Sequence, residues 1–156
     1  MAARSKTEVV GPLAKEVAIP HGHGTLLVVE DDDTLRESTV AFLSSVGYRV
    51  LSAGSGEEAL AVANADKAEI NLVISDVVMP RMSGPQLAER LTALHPEMKV
   101  LFVSGYAESV VRRKGVDDMA TPFLQKPFPL RLLASKIQHE LELPRLERAA
   151  AAGGSG

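Results

Sequence analysis

Two hydrophobic patterns alternate along the chain between Thr25 and Leu143. The first is a short, largely apolar run: Thr25 to Val29, Ile70 to Ser75 and Val100 to Ser104. Tyr48 to Ala53 is rich in β-formers, and Phe123 to Lys126 is a short further run. The second pattern has helical spacing. Thr34 to Ser45 places Leu35, Val40 and Leu43 on one face, with Val46 after them and Gly47 as the stop. Asp33 or Thr34 is expected to cap this helix. Ser55 to Ala65 predicts a helix capped by Ser55, with Glu57 and Glu58 in its first turn. Pro85 suits the first turn of a helix running to Leu94 and ended by His95-Pro96. Glu108 to Lys114 reads as a short helix stopped by Gly115, and Leu130 to Leu143 as a closing amphipathic helix.

The pattern is β-α repeated five times. Strands apolar on both faces are covered on both faces, which means a parallel sheet with helices on each side. Right-handed crossovers leave few topologies, and the functional crevice of such a sheet lies at the carboxyl ends of its strands.

Composition narrows the setting. At 156 residues the chain has room for one domain with a real core. Residues 1–24 read as a leader or linker, 25–143 as the compact unit, and 144–156, ending Gly-Gly-Ser-Gly, as a flexible tail. A net charge of −3 gives no bulk attraction to nucleic acid or an anionic membrane. Aromatic residues make up 4% with no Trp, which argues against a base-stacking surface. The first residues lack the apolar core of a signal peptide, and no run approaches the roughly 20 residues of a membrane span. The absence of cysteine excludes disulfides and thiolate metal sites and suits a cytoplasmic location.

Candidate chemistry stands where the strands end. The first ends in Glu30-Asp31-Asp32, the third in Ser75-Asp76, the fourth in Ser104-Gly105 and the fifth in Lys126-Pro127. Each has a plainer reading alone: an acidic run caps a helix, an Asp or Ser forms a turn, a Lys is solvated. Together, in order, they bring carboxylates, a hydroxyl and an ammonium to one place. Clustered carboxylates repel unless a cation joins them, and a hard oxygen-loving ion, Mg²⁺, fits best. Acids plus Mg²⁺ leave a place for a phosphoryl group, with Lys126 and Ser104 as partners for its oxygens and one Asp as nucleophile.

The motifs Leu26-Leu27-Val28-Val29-Glu30-Asp31-Asp32, Asp76-Val77-Val78-Met79-Pro80 with Gly84 beyond, Val103-Ser104-Gly105 and Gln125-Lys126-Pro127-Phe128 resemble the receiver domain of bacterial response regulators across 25–143. The resemblance implies a flavodoxin-like (βα)5 fold with strand order 2-1-3-4-5. It implies Asp76 as the phosphorylated residue and Mg²⁺ held by Glu30, Asp31, Asp76 and the main-chain carbonyl of Val78. It further implies Ser104 and Lys126 on the phosphoryl group, a cis Lys126-Pro127 bond, and Phe123 as a switch aromatic whose rotation follows Ser104. The partner is a histidine kinase or histidine phosphotransferase domain. The signal is expected on the face of the fourth helix, fifth strand and fifth helix, including Ser109 to Lys114 and Arg131 to Gln138, whose basic residues could pair across a homodimer, though a solvated helix face is the plainer reading of any one charge. Val78 is apolar where many relatives are polar, which leaves the phosphoryl lifetime open, and Val116 to Pro122 has unusual spacing. The segments around Ser104 and Lys126 are similar to receivers at the ends of hybrid histidine kinases, so a relay or phosphate-sink role in such a kinase is an alternative.

Two other functions compete. A phosphatase of the haloacid-dehalogenase type also uses an Asp nucleophile, and Asp31 and Asp33 have its spacing, but the flanks differ and the length leaves no cap insertion. A degenerate receiver that only binds would not need all of Glu30, Asp31, Asp76, Ser104 and Lys126. Clustered acids also predict that neutral isosteres of Asp31 or Asp76 raise stability in chelator.

Overall fold

The three apolar runs become the buried middle of a sheet. The computed structural model describes residues 22–65, 69–107, 110–111 and 121–143. Strands β1 (Thr25–Val29), β2 (Arg49–Ala53), β3 (Leu72–Asp76), β4 (Lys99–Ser104) and β5 (Phe123–Gln125) are all parallel, in the order β2-β1-β3-β4-β5. Every residue of β1, β3 and β4 is buried, whereas the edge strands β2 and β5 are largely half-buried. This is the expected parallel order. Four helices fall among the described residues: α1 (Asp33–Ser45), α2 (Gly56–Ala65), α3 (Gly84–Leu94) and α4 (Leu130–Glu142). Of the helix expected over Glu108 to Lys114, only Val110 and Val111 are described, and both are helical. The rest of it, the segment 112–120, the leader up to residue 21 and the tail from 144 lie outside the described residues.

Strand residues alternate between two cores, as a pleated sheet requires. Leu26, Val28, Leu72, Ile74, Leu101 and Val103 face α1 and α4, meeting Leu43, Leu133 and Ile137. Leu27, Val29, Val73, Val100 and Phe102 face α2 and α3, meeting Ala59, Ala63, Leu87 and Leu91. Truncating a fully buried leucine such as Leu87 to Ala costs about 2–5 kcal/mol.

Local signals hold with small shifts. The α1 cap is Asp32, whose carboxylate accepts the Leu35 N–H at 2.9 Å, rather than Asp33 or Thr34. Asp33 already lies in the first turn, with its carboxylate on Arg36. Gly47 stops α1 with φ 112°, and a Cβ there would come within 2.6 Å of the Gly22 carbonyl. Gly22 is buried and donates to the Val46 carbonyl, so the compact unit takes in the end of the leader. Ser55 caps α2 through the Glu58 N–H, and Ser83 with Gln86 forms a reciprocal capping box at the start of α3.

Candidate functional site

Register assembles the site. Val29 pairs with Ser75, so the next residues, Glu30 and Asp76, leave adjacent strands at the same level. Asp76 pairs in turn with Val103, and Ser104 with Gln125. The Lys126 N–H then donates to the Ser104 carbonyl at 2.7 Å, which brings the lysine to that level from the sheet edge. Its ammonium reaches back to Glu30 Oε1 at 2.6 Å and Asp76 Oδ2 at 2.9 Å. The Lys126-Pro127 bond is cis.

One carboxylate oxygen each from Glu30, Asp31 and Asp76 lies within 4.8 Å of the others. Glu30 and Asp76 form a buried floor, and Asp31 an exposed lip. Three carboxylate oxygens gathered this closely are the kind of hard donor set that suits a divalent ion such as Mg²⁺.

These charges act on one another. Burial pushes the Glu30 carboxyl above its ordinary value, and the Asp76 charge adds to this, while hydrogen bonds from Lys126 and from the Asp32 N–H pull it back only partly. Burial pulls the Lys126 ammonium down, but its bonds to Glu30 and Asp76 prevail and leave it above the ordinary lysine value. The ammonium therefore offsets part of the repulsion expected between the acids.

A close approach holds Asp76 in place. The Gly84 N–H donates to the Val77 carbonyl at 2.8 Å, and a Cβ on Gly84 would come within 2.3 Å of the Asp76 carbonyl. Glycine thus lets the start of α3 sit against the backbone that presents Asp76. Ser104 ends β4, is buried, and its Oγ accepts the Tyr106 N–H at 3.0 Å. Val78 follows in the loop after β3 with an exposed side chain. Phe123 is half-buried, pairs with Phe102 and packs on the α2/α3 core. Asp33, 79% exposed at its side chain, pairs with Arg36 and is not one of the three converging acids, which removes the spacing that suggested a dehalogenase-type site.

Sequence reasoning passed over Arg36, which donates to the Glu30 carbonyl at 2.7 Å and to Asp33 Oδ1 at 2.7 Å. Its spacing of three from Asp33 on a helix was the available signal. No helix among the described residues is long and apolar enough to cross a membrane.

Comparison with known proteins identifies the family. The family described as the response regulator receiver domain matches residues 26–138. Sensor kinase CckA of Brucella abortus (strain 2308) is 46% identical over 121 residues, covering 78% of this chain but 13% of the kinase. Response regulator receiver protein CpdR of the same organism is 33% identical over 116 residues, 74% of this chain and 95% of that protein. The crystal structure of the receiver domain from hybrid histidine kinase CckA superposes with a TM-score of 0.65 at 35% identity, over 76% of this chain and all of that one.

Proposed function

The chain belongs to the response regulator receiver domain family, and from that premise we propose that it accepts a phosphoryl group on Asp76 from a phosphohistidine donor and changes conformation to signal. The observation that carries this is the Glu30, Asp31 and Asp76 carboxylates gathered within 4.8 Å, with the Lys126 ammonium on two of them. An Asp76 carboxylate oxygen forms a bond to phosphorus as the P–N bond to the donor histidine breaks, and the histidine nitrogen leaves with the electron pair. Glu30, Asp31, Asp76 and the Val78 carbonyl would hold Mg²⁺, which would supply neutralisation of the negative charge gathered at the site. Lys126 exchanges one carboxylate partner for a phosphoryl oxygen and keeps that charge compensated afterwards. The Ser104 hydroxyl turns from the Tyr106 N–H towards the phosphoryl group, and the Phe123 ring follows.

The changed face is that of β5, α4 and the helix before β5, and it serves as a homodimer or partner surface. The donor is a histidine kinase or histidine phosphotransferase domain, and the setting is cytoplasmic. A second reading, a relay or phosphate sink within a hybrid kinase, draws on the 46% identity to a sensor kinase of which this chain matches 13%.

The test is incubation with acetyl phosphate and Mg²⁺ followed by intact-mass spectrometry. One phosphate-sized gain that requires Mg²⁺ and vanishes in Asp76→Asn is expected. No gain in wild type, with no beryllofluoride binding, replaces the acceptor with a binding-only receiver.

A further inference from the structure

Only Glu30, Asp31 and Asp32 join β1 to α1, and they must present Asp31 to Asp76 with no regular element of their own. Hydrogen bonds fix the N–H side of this turn: Glu30 N–H to the Ala53 carbonyl at 3.1 Å, Asp32 N–H to Glu30 Oε2 at 3.1 Å, and Leu35 N–H to Asp32 Oδ1 at 2.9 Å. The Glu30 carbonyl, immediately before Asp31, is held by a side chain from α1. Arg36 Nη1 donates to it at 2.7 Å while Nη2 donates to Asp33 Oδ1 at 2.7 Å. The guanidinium thus grips one residue on either side of the Asp31-Asp32 pair. The end of β2 leaves a slot for it: a Cβ on Gly54 would approach Arg36 Nη1 to 3.1 Å. The Arg36 side chain as a whole is 20% exposed.

We propose that Arg36 is a positioning residue for the metal, its two-armed guanidinium fixing the turn that aims Asp31 at Asp76. This role rests on the metal-assisted reading above. It is not a ligand, and its charge alone works against cation binding. Two effects of opposite sign therefore compete. Loss of a group that orients a metal ligand typically weakens metal binding roughly 10- to 100-fold. Removing a screened, partly exposed positive charge strengthens it only a few-fold. Positioning wins on these magnitudes. A planar fork with two donors is also something lysine cannot reproduce.

Calorimetric titration with Mg²⁺ of the wild type, Arg36→Ala and Arg36→Lys, beside thermal melts in chelator, decides the matter. Arg36→Ala is expected to bind Mg²⁺ roughly tenfold more weakly or worse while still melting cooperatively. Arg36→Lys should recover part of the affinity and remain several-fold weaker than wild type. Unchanged or tighter binding by Arg36→Ala overturns the role, and so does full recovery by Arg36→Lys, which would leave charge as the whole effect. A purely structural contribution would lower the melt and leave the affinity of the folded protein unchanged, which also overturns it. Should Arg36→Ala fail to fold, Arg36→Lys carries the test alone, and wild-type affinity there overturns the proposal. A wild type that takes up no Mg²⁺ removes the metal reading and Arg36's role with it, and is told apart because the failure lies in the wild type.

Discussion

Two lysines stand at opposite ends of the sheet, and each brings a charge into the interior. Lys99 opens β4 at 6% exposure, and its ammonium donates to the Glu140 and Leu143 carbonyls at the end of α4. Lys126 follows β5 with its side chain 21% exposed, and its ammonium donates to Glu30 and Asp76. A buried ammonium needs acceptors wherever it is. At the Lys99 end they include carbonyls at the last turn of a helix, which carry the negative end of its dipole. Nothing changes their charge, so this lysine ties a helix to a strand. At the Lys126 end the acceptors are carboxylates, whose charge changes with protons, metal or a phosphoryl group. The same side chain meets helix carbonyls at one pole and ionisable carboxylates at the other, and the partners make the difference.

The comparison breaks first in phosphoryl uptake. Lys126→Met should slow the mass gain with acetyl phosphate roughly a hundredfold, on the scale of losing one donor to a developing charge. Lys99→Met should leave it within about twofold. Equal losses would mean that the two poles are not separate in function.

Stability comes next. Lys126→Met leaves Glu30 and Asp76 adjacent without their ammonium. Because the group is partly exposed, its unfolding free energy should fall by about 2–3 kcal/mol, at or below the low end for a buried pair. Lys99→Met, which forfeits bonds to helix carbonyls, should cost about 1–2 kcal/mol. The two should add to within about 0.5 kcal/mol in the double variant, as measured by urea unfolding.

Within the acid cluster the expected effects are smaller. In chelator, Asp31→Asn should raise the melting temperature, since Asp31 contributes repulsion at an exposed lip. Asp76→Asn should gain less, because relief of repulsion is offset by the lost charge on the Lys126 bond. A larger gain from Asp76→Asn would contradict that pairing.

The smallest effect is in pH. Glu30 has its folded pKa raised from 4.5, so the folded protein holds that proton more tightly than the unfolded chain. Its contribution is most favourable below the unfolded value and is lost as pH rises through the folded one. As pH rises above 4.5 in chelator, wild type should therefore lose stability relative to Glu30→Gln, by urea unfolding. Lys126, raised from 10.5, acts at the other end: its contribution is present below 10.5 and is lost as pH rises through its folded pKa.

Which parts of this were legible in the chain itself follows from the range of the interactions. Apolar runs, the Ser55 cap, Pro85 and Gly47 act over a few residues, so strands and helices could be placed to within one or two positions. The converging acids and Lys126 were also legible, because a parallel sheet brings every strand's carboxyl end to one edge and the motifs stand there in order. Other features joined residues far apart or depended on exact atom placement. Lys126 and Glu30 are 96 residues apart, and Lys99 meets α4 across 41. Nothing in the neighbourhood of either lysine tells which will meet carboxylates and which carbonyls. Gly84 is likewise an ordinary helix-start glycine until the Asp76 carbonyl is seen 2.3 Å from where a Cβ would stand. The sequence by itself determined the fold class, the order of the strands' endings and the kinds of group they carry, because periodicity and turn chemistry are local. Only the tertiary structure decided the partners of each charge, because strand register sets which side chains share a level and burial makes those partners matter.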